Sequence, residues 1–328
     1  MNKHSLKGLN LGGWLVLERW ITPSLFRNTT ASDEYSLCSE LGINQAMIRL
    51  EKHRKNFITT DDFKWIKDHG IDAIRIPVGY WIFGGDKPYI GAIKFLDFAF
   101  RQAEELELKV IIDLHAAAGS QNGKQHSGHQ GLIEWDKSLN QIKSLQVIER
   151  LAKRYGESPS LYGIELLNEP DRNIPKRLLK DFYIKGYNIV RKYCNETVAV
   201  IISDQFRPLR WRKGLGRRYR NIELDIHLYQ IFGNRDKLRK GSQQLRIVRY
   251  VWWSYIWLTQ LTIPVIVGEW SAVSNKSGAL NRRKYMSSQI EVYSTARLWC
   301  YWTYKTESDS LWSYRTCIDG LKLTLHHK

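Results

Sequence analysis

Glu169 and Glu269 each stand where an apolar run stops, after Ile164-Glu165-Leu166-Leu167-Asn168 and after Ile263 to Val267 with Gly268. Short apolar runs bounded by glycine or proline are the pattern of strands buried in a parallel sheet. The carboxyl ends of such strands are where α/β barrels place reacting groups. Two carboxylates about 5–5.5 Å apart can cleave a glycosidic bond by double displacement. One attacks the anomeric carbon; the other protonates the departing oxygen and then deprotonates water. The two need different proton affinities, so their surroundings must differ. From the residues alone, either glutamate can hold either role.

Other polar residues break apolar runs in the same way. His115 follows Val110 to Leu114, His227 and Tyr229 close Ile222 to Tyr229, Trp302 lies within Leu298 to Tyr304, and Arg75 sits inside Ile71 to Val78. A buried arginine costs several kcal/mol unless paired, so Arg75 should meet a carboxylate, and it could keep a nucleophile ionised. Asn168 is suited to a sugar 2-hydroxyl, Tyr229 to orienting the nucleophile, and His115 and His227 to binding hydroxyls or tuning the acid. Trp302 offers a floor for a sugar ring. Blander readings exist for each: Arg75 as a structural ion pair, His227 as a satisfied core histidine, Trp302 as core. Two glutamates with two histidines could also hold a divalent metal.

The elements needed to hold these residues alternate along the chain. Strands are expected at Lys7–Asn10, Ile71–Val78, Val110–Leu114, the run into Glu169, Val198–Ser203, Ile222–Tyr229, Ile263–Val267 and Leu298–Tyr304. Helical periodicity fills the intervals, at Leu37–Phe57, Asp61–His69, Gly91–Leu108, Ser138–Tyr155, Pro175–Tyr193, Ser242–Thr259 and Arg282–Ala296. About eight strands separated by helices, with no linker, predict one (β/α)8 TIM barrel domain over 1–328. Glu169 then lies on the fourth strand and Glu269 on the seventh, facing each other across the barrel mouth. A doubly wound sheet would need a glycine-rich phosphate turn after the first strand, and Gly8, Gly12 and Gly13 do not have that spacing.

Composition sets the remaining bounds. A hydrophobic fraction of 43% supports a sizeable core, and 13 Trp with 17 Tyr suit a carbohydrate cleft as well as a large core. No run is long and apolar enough to span a membrane, and no export signal opens the chain, so a cytoplasmic setting is expected, with leaderless export or peripheral membrane association as alternatives. Cys38, Cys194, Cys300 and Cys317 lack metal-site spacing and are expected as free thiols. The net charge is +17. Its densest run comprises Arg207, Arg210, Arg212, Lys213, Arg217, Arg218 and Arg220, followed by Arg235, Lys237, Arg239 and Lys240. That run is either a solvated face or a surface for an anionic partner, such as an acidic polysaccharide or membrane. Nucleic acid is disfavoured because no binding motif accompanies it.

The ordered motifs resemble the family 5 glycoside hydrolases, most closely the exo-β-1,3-glucanase group. They are Lys7-Gly8-Leu9-Asn10-Leu11-Gly12-Gly13-Trp14 through Glu18 and Thr22-Pro23-Ser24-Leu25-Phe26; Arg75-Ile76-Pro77-Val78-Gly79-Tyr80-Trp81; Asp113-Leu114-His115 with Gly119-Ser120-Gln121-Asn122-Gly123; Leu167-Asn168-Glu169-Pro170; His227-Leu228-Tyr229-Gln230; Gly268-Glu269-Trp270-Ser271-Ala272; and Trp302-Thr303-Tyr304-Lys305. The resemblance covers almost the whole chain. It implies a TIM barrel, retention of configuration, and no metal or cofactor. It also implies acid/base duty for Glu169 and nucleophile duty for Glu269. Arg75, His115, Asn168, His227, Tyr229 and Trp302 match its remaining site positions, Glu18 matches a residue that helps hold the terminal sugar, and Phe206 matches half of an aromatic clamp for the next sugar.

Departures bear on substrate. Ala116, Ala117 and Ala118 replace a Gly- and Pro-bearing loop, and Lys124 stands where the other clamp aromatic is usual. The segment from Glu269 to Trp302 is short, which implies a more open cleft. The expected function is therefore a retaining hydrolase of β-glucans or β-glucosides, with Lys124 and the basic run pointing to an anionic or substituted glycan. The alternative is a weakly active or inactive glycan-binding partner of a polysaccharide-synthesis system, held to polymer or membrane by its basic face.

Overall fold

The strands form because each can bury both faces. In Ala73–Gly79, Ile74, Ile76 and Val78 join the outer hydrophobic layer, while Ala73 faces the barrel interior. The computed structural model describes residues 5–211, 215–216, 218–234, 236, 239, 241–274, 282–308 and 310–321. Within it, Leu6–Asn10 (β1), Ala73–Gly79 (β2), Lys109–Ala116 (β3), Leu161–Glu165 (β4), Ala199–Ser203 (β5), Ile222–Leu228 (β6), Val265–Trp270 (β7) and Leu298–Tyr301 (β8) close into a barrel in chain order. Neighbouring strands are parallel, and β8 returns to β1 with Gly8 opposite Cys300. This is the expected (β/α)8 architecture.

Three layers fill the barrel. A floor of small and branched side chains includes Ala73, Ile111, Ala199, Ile201, Ile266 and Cys300. Above it lies a polar layer of Asn10, Arg75, Asp113, Glu165 and Asp225, each 0–1% exposed. The reacting groups form the rim. Outside, Ile112, Leu114, Val200 and Ile202 pack against helix residues such as Leu96, Leu151, Leu179 and Phe182. Burying each such side chain contributes about 1.5–3 kcal/mol.

Helices Glu34–Phe57 (α1), Thr60–Asp68 (α2), Ile93–Glu105 (α3), Ser138–Tyr155 (α4), Lys176–Tyr193 (α5), Gly241–Arg246 (α6), Trp253–Gln260 (α7), Arg282–Tyr293 (α8) and Tyr314–Leu321 (α9) fill the intervals. Thr59 caps α2, and Asp62 accepts its backbone N–H at 2.9 Å. The single helix expected over Ser242–Thr259 is interrupted by a π turn at Ile247–Trp252. The strand expected to reach Asn168 stops at Glu165. Beyond it Asn168 still donates its N–H to the Leu114 carbonyl at 3.1 Å, so the turn remains tied to β3.

All four cysteines are buried free thiols. No helix among the described residues is long and apolar enough to cross a membrane. Of the basic run, Arg207, Arg218 and Arg220 are exposed. Arg220 lies 3.4 Å from Glu196, and Arg210 donates to the Gln205 side chain. Arg239 pairs with Asp236, whereas Arg212, Lys213, Arg217, Arg235, Lys237 and Lys240 lie outside the described residues.

Candidate active site

Glu269 is carried by β7, and its position is fixed by the residue before it. A Cβ at position 268 would lie 1.9 Å from Asp225 Oδ2, so only glycine leaves room there for that carboxylate. Asp225 Oδ1 accepts the Gly268 N–H at 2.6 Å. Glu169 lies in the turn after β4 with φ of 40°, a conformation that costs a non-glycine residue energy and recurs at functional sites. Asn122 holds the turn by donating to the Glu169 carbonyl at 3.0 Å.

One carboxylate oxygen of Glu169, one of Glu269 and a ring nitrogen of His227 lie within 4.8 Å of one another. That spacing suits double displacement and is too short for the 6.5–9.5 Å or so that inverting enzymes need for an intervening water. His227 Nδ1 is 2.8 Å from Glu169 Oε1 and 3.4 Å from Glu269 Oε2. Its Nε2 is 3.3 Å from Asp225 Oδ2. With ionised carboxylates facing both ring nitrogens, both can donate, which favours the imidazolium. Although burial opposes this charge, the surrounding carboxylates hold the His227 pKa well above its usual value.

Arg75 meets the carboxylate expected of it, and several more. Nε donates to Glu165 Oε2 at 2.8 Å, and one Nη lies 3.2 Å from Glu269 Oε1. The other Nη donates to Asn168 Oδ1 at 2.9 Å and lies 3.1 Å from Asp113 Oδ2. Tyr229 donates its hydroxyl to Glu269 Oε2 at 2.9 Å. His115 Nδ1 is 2.6 Å from Asp113 Oδ2, and its ring stacks on Trp302 at 5.3 Å between centroids.

The two glutamates differ electrostatically. Burial raises the Glu169 pKa, but the His227 hydrogen bond and the charges of Lys124 and His227 outweigh it and hold that carboxyl well below the ordinary range. Lys124 Nζ is 3.3 Å from Glu169 Oε2, and His126 Nε2 is 3.4 Å from the same oxygen. Burial raises the Glu269 carboxyl, against the pull of His227 and Arg75, and the Glu169 charge raises it further.

A cavity of about 1010 Å³ opens above the pair. Glu18, His115, Phe206, Tyr229 and Trp302, all expected at the site, line it together with both glutamates. Arg75, Asn168 and His227 are not among its lining residues. Arg75 and Asn168 are 0% exposed, so Arg75 acts through Glu269 and Asn168 rather than by touching substrate. Burial drives the Glu18 carboxyl up to about 7, and Trp20 donates to its Oε2 at 2.8 Å.

Sequence reasoning missed His126, Trp20, Phe232 and Trp312, which also line the cavity. Trp20 had a signal, its position two residues after Glu18. Trp312 reaches the site from the far end of the chain and stacks at a tilt on Trp20, 5.1 Å between centroids. Among the described residues, two groups have the proximity of metal ligands, Glu165-Asp225-His227 and Glu169-His227-Glu269. In both, each carboxylate faces Arg75, Tyr229 or the His227 ring through at least one oxygen, while Glu165 Oε1 has no hydrogen-bond partner.

A closed (β/α)8 barrel with paired glutamates at the carboxyl end of its strands and an aromatic cleft above them defines a glycoside hydrolase of the retaining kind. The family model described as Cellulase (glycosyl hydrolase family 5) matches residues 38–308. A probable glucan 1,3-beta-glucosidase A of Aspergillus niger is 33% identical over 360 aligned positions, covering 94% of this chain and 84% of that protein. Glucan 1,3-beta-glucosidase 1 of Schizosaccharomyces pombe is 32% identical, with 93% and 84% covered. Among solved structures, a rutinosidase from Aspergillus niger superposes with a TM-score of 0.82 at 24% identity, covering 97% of each chain. An endoglucanase from Thermotoga maritima gives 0.63 at 18% identity over 94% of this chain and 91% of that one; these two likenesses speak to fold. The chain belongs to glycosyl hydrolase family 5 and is an O-glycosyl hydrolase.

Proposed function

We propose that the protein cleaves β-glucosidic bonds in β-glucans or β-glucosides, of β-1,3-glucan type, with net retention. Glu269 attacks the anomeric carbon. Glu169 gives its proton to the departing oxygen, then takes one from the water that releases the glycosyl-enzyme. The single observation that carries this reading is the approach of the two carboxylates within 4.8 Å. The β-1,3 preference is supported by relatives named as glucan 1,3-beta-glucosidases over most of this chain.

The division of roles follows from contacts. Glu269 has donors on both oxygens, Arg75 and Tyr229, which suits a group that must reach the reaction as a carboxylate. Glu169 lies on the side of the cleft lined by Lys124, His126 and Phe206, where a leaving sugar can sit. Asn168, 0% exposed, has its carbonyl held by Arg75 and its amide nitrogen 3.5 Å from His115 Nε2, so it supports the site from behind the wall.

The test is the stereochemistry of the first product formed from an aryl β-glucoside and from a β-1,3-glucan, followed by NMR. The β anomer is expected first, and Glu269→Ala should be inactive until azide restores turnover as the α-glucosyl azide. A first product of α configuration, or a Glu269→Ala rate near wild type, would overturn it. Glycan binding without any turnover by the wild type would favour the binding-partner reading instead.

A further inference from the structure

The wall beside Glu169 carries positive charge around an aromatic ring. Lys124, half-exposed in the loop after β3, lies 3.3 Å from Glu169 Oε2 and 5.5 Å from the Phe206 ring centroid. Arg172, exposed in the segment leading to α5, holds its guanidinium 5.6 Å from the same centroid and donates to the Phe206 carbonyl at 3.1 Å. Phe206 is itself pinned with φ of 53°, its N–H accepted by Asp204 Oδ1 at 2.7 Å. The ring is thus a fixed platform with two cations at hand. Lys124 and His126 reach the Glu169 oxygen at which the departing oxygen must arrive, so this platform lies where the leaving sugar sits.

We propose that the leaving-group side of the cleft takes an acidic sugar, a uronate unit, with its ring against Phe206 and its carboxylate on Lys124, Arg172 supplying the second cation. This inference rests on the hydrolase reading above.

The arrangement answers a difficulty that a neutral leaving sugar does not. Lys124 and His126 from the β3 loop and His227 from β6 face Glu169, while Glu269 from β7 and Glu18 from the β1 loop add negative field. The Lys124 charge favours the ionised Glu169, the form that has no proton to give. A carboxylate on the leaving sugar competes for Lys124 Nζ and brings its own negative charge towards Glu169. Both effects raise the affinity of Glu169 for a solvent proton. That proton then passes to the glycosidic oxygen as its bond to C1 breaks, the electron pair staying on oxygen, and Glu269 bonds to C1. The acidic substrate both fills the platform and arms the acid.

The experiment compares kcat/KM for glucosyl-β-1,3-glucuronate and glucosyl-β-1,3-glucose in wild type, Lys124→Met and Lys124→Arg, with 4-nitrophenyl β-glucoside as a common reference. Wild type should prefer the acidic disaccharide about tenfold or more, a factor of ten being the effect of one modest charge-assisted contact. Lys124→Met should lose that preference, Lys124→Arg should keep most of it, and Arg172→Met should reduce it. Equal rates on the two disaccharides in wild type, or a preference that survives in Lys124→Met, would overturn the inference while turnover of the aryl glucoside leaves the hydrolase reading standing. No turnover of any of the three substrates would remove both.

Discussion

Tyr229 donates its hydroxyl to Glu269 Oε2 across 2.9 Å, while Arg75 holds Oε1 from 3.2 Å. Both oxygens of the proposed nucleophile are therefore aimed by donors from other strands, Arg75 on β2 and Tyr229 just beyond β6. The carboxylate is oriented before substrate arrives, which is where much of an enzyme's advantage over solution lies.

Removing the hydroxyl isolates its contribution. A hydrogen bond to a charged group contributes about 1.5–3 kcal/mol, so Tyr229→Phe should lower kcat on an aryl β-glucoside about ten- to a hundred-fold. Steady-state kinetics with a circular dichroism check for folding measure this; an unchanged kcat would mean that Arg75 alone positions Glu269.

Glu169→Ala should split substrates by leaving group. General acid help contributes roughly 10²–10⁴-fold where the leaving oxygen is a sugar hydroxyl. Hydrolysis of β-glucan should fall by about that factor, while an aryl glucoside with an acidic phenol should keep much of its glycosylation rate. A pre-steady-state burst of phenol, with slow turnover behind it, is the expected signature. Equal losses on both substrates would assign the proton donor elsewhere.

Arg75 is a stability prediction as well as a catalytic one. It is 0% exposed and lies within salt-bridge range of Asp113, Glu165, Asp225 and Glu269. Replacing it by methionine leaves buried carboxylates without their cation, a change that costs about 3–5 kcal/mol. Arg75→Met should unfold at markedly lower denaturant, and Arg75→Lys should recover only part of the loss, because an ammonium cannot span the Glu165, Asn10 and Asn168 contacts. The unfolding midpoints of the three proteins decide it.

Glu18 gives a pH prediction with a definite sign. Burial holds its carboxyl up at about 7, with the charges of Glu269 and Glu169 adding to this against His115 and Trp20. As pH rises through that value, Glu18 becomes a carboxylate that accepts sugar hydroxyls more strongly, so kcat/KM should climb across this range. Glu18→Gln should lose that limb of the free-enzyme profile while other ionisations remain. The same limb in both proteins would assign it to another group.

Strand ends were legible because burial on both faces leaves a near-continuous apolar signature that a single polar residue breaks. Arg75, Glu169 and Glu269 were found in that way, and the need for a carboxylate beside Arg75 followed from desolvation alone. Glu165 shows the limit of this signal. It sits within the same run as Glu169, yet its side chain points down into the barrel onto Arg75, a distinction set by strand direction and the register with β3. His126 has no periodic pattern to announce it and reaches Glu169 only because its loop folds over the turn after β4. Trp20 and Trp312 meet at 5.1 Å from opposite ends of the chain.

By itself the sequence determined the alternation of strands and helices, the barrel, and the pair of glutamates at strand ends, because these depend on local patterns of burial that each residue's chemistry enforces. Tertiary structure decided the separation of the pair within 4.8 Å and the burial of Arg75 and Asn168 behind the wall. It also decided the approach of Lys124 to Glu169 across 45 positions of sequence. Those relationships depend on barrel closure and on loop paths fixed by contacts between distant segments, and no local pattern encodes a distance between residues that only the closed barrel brings together.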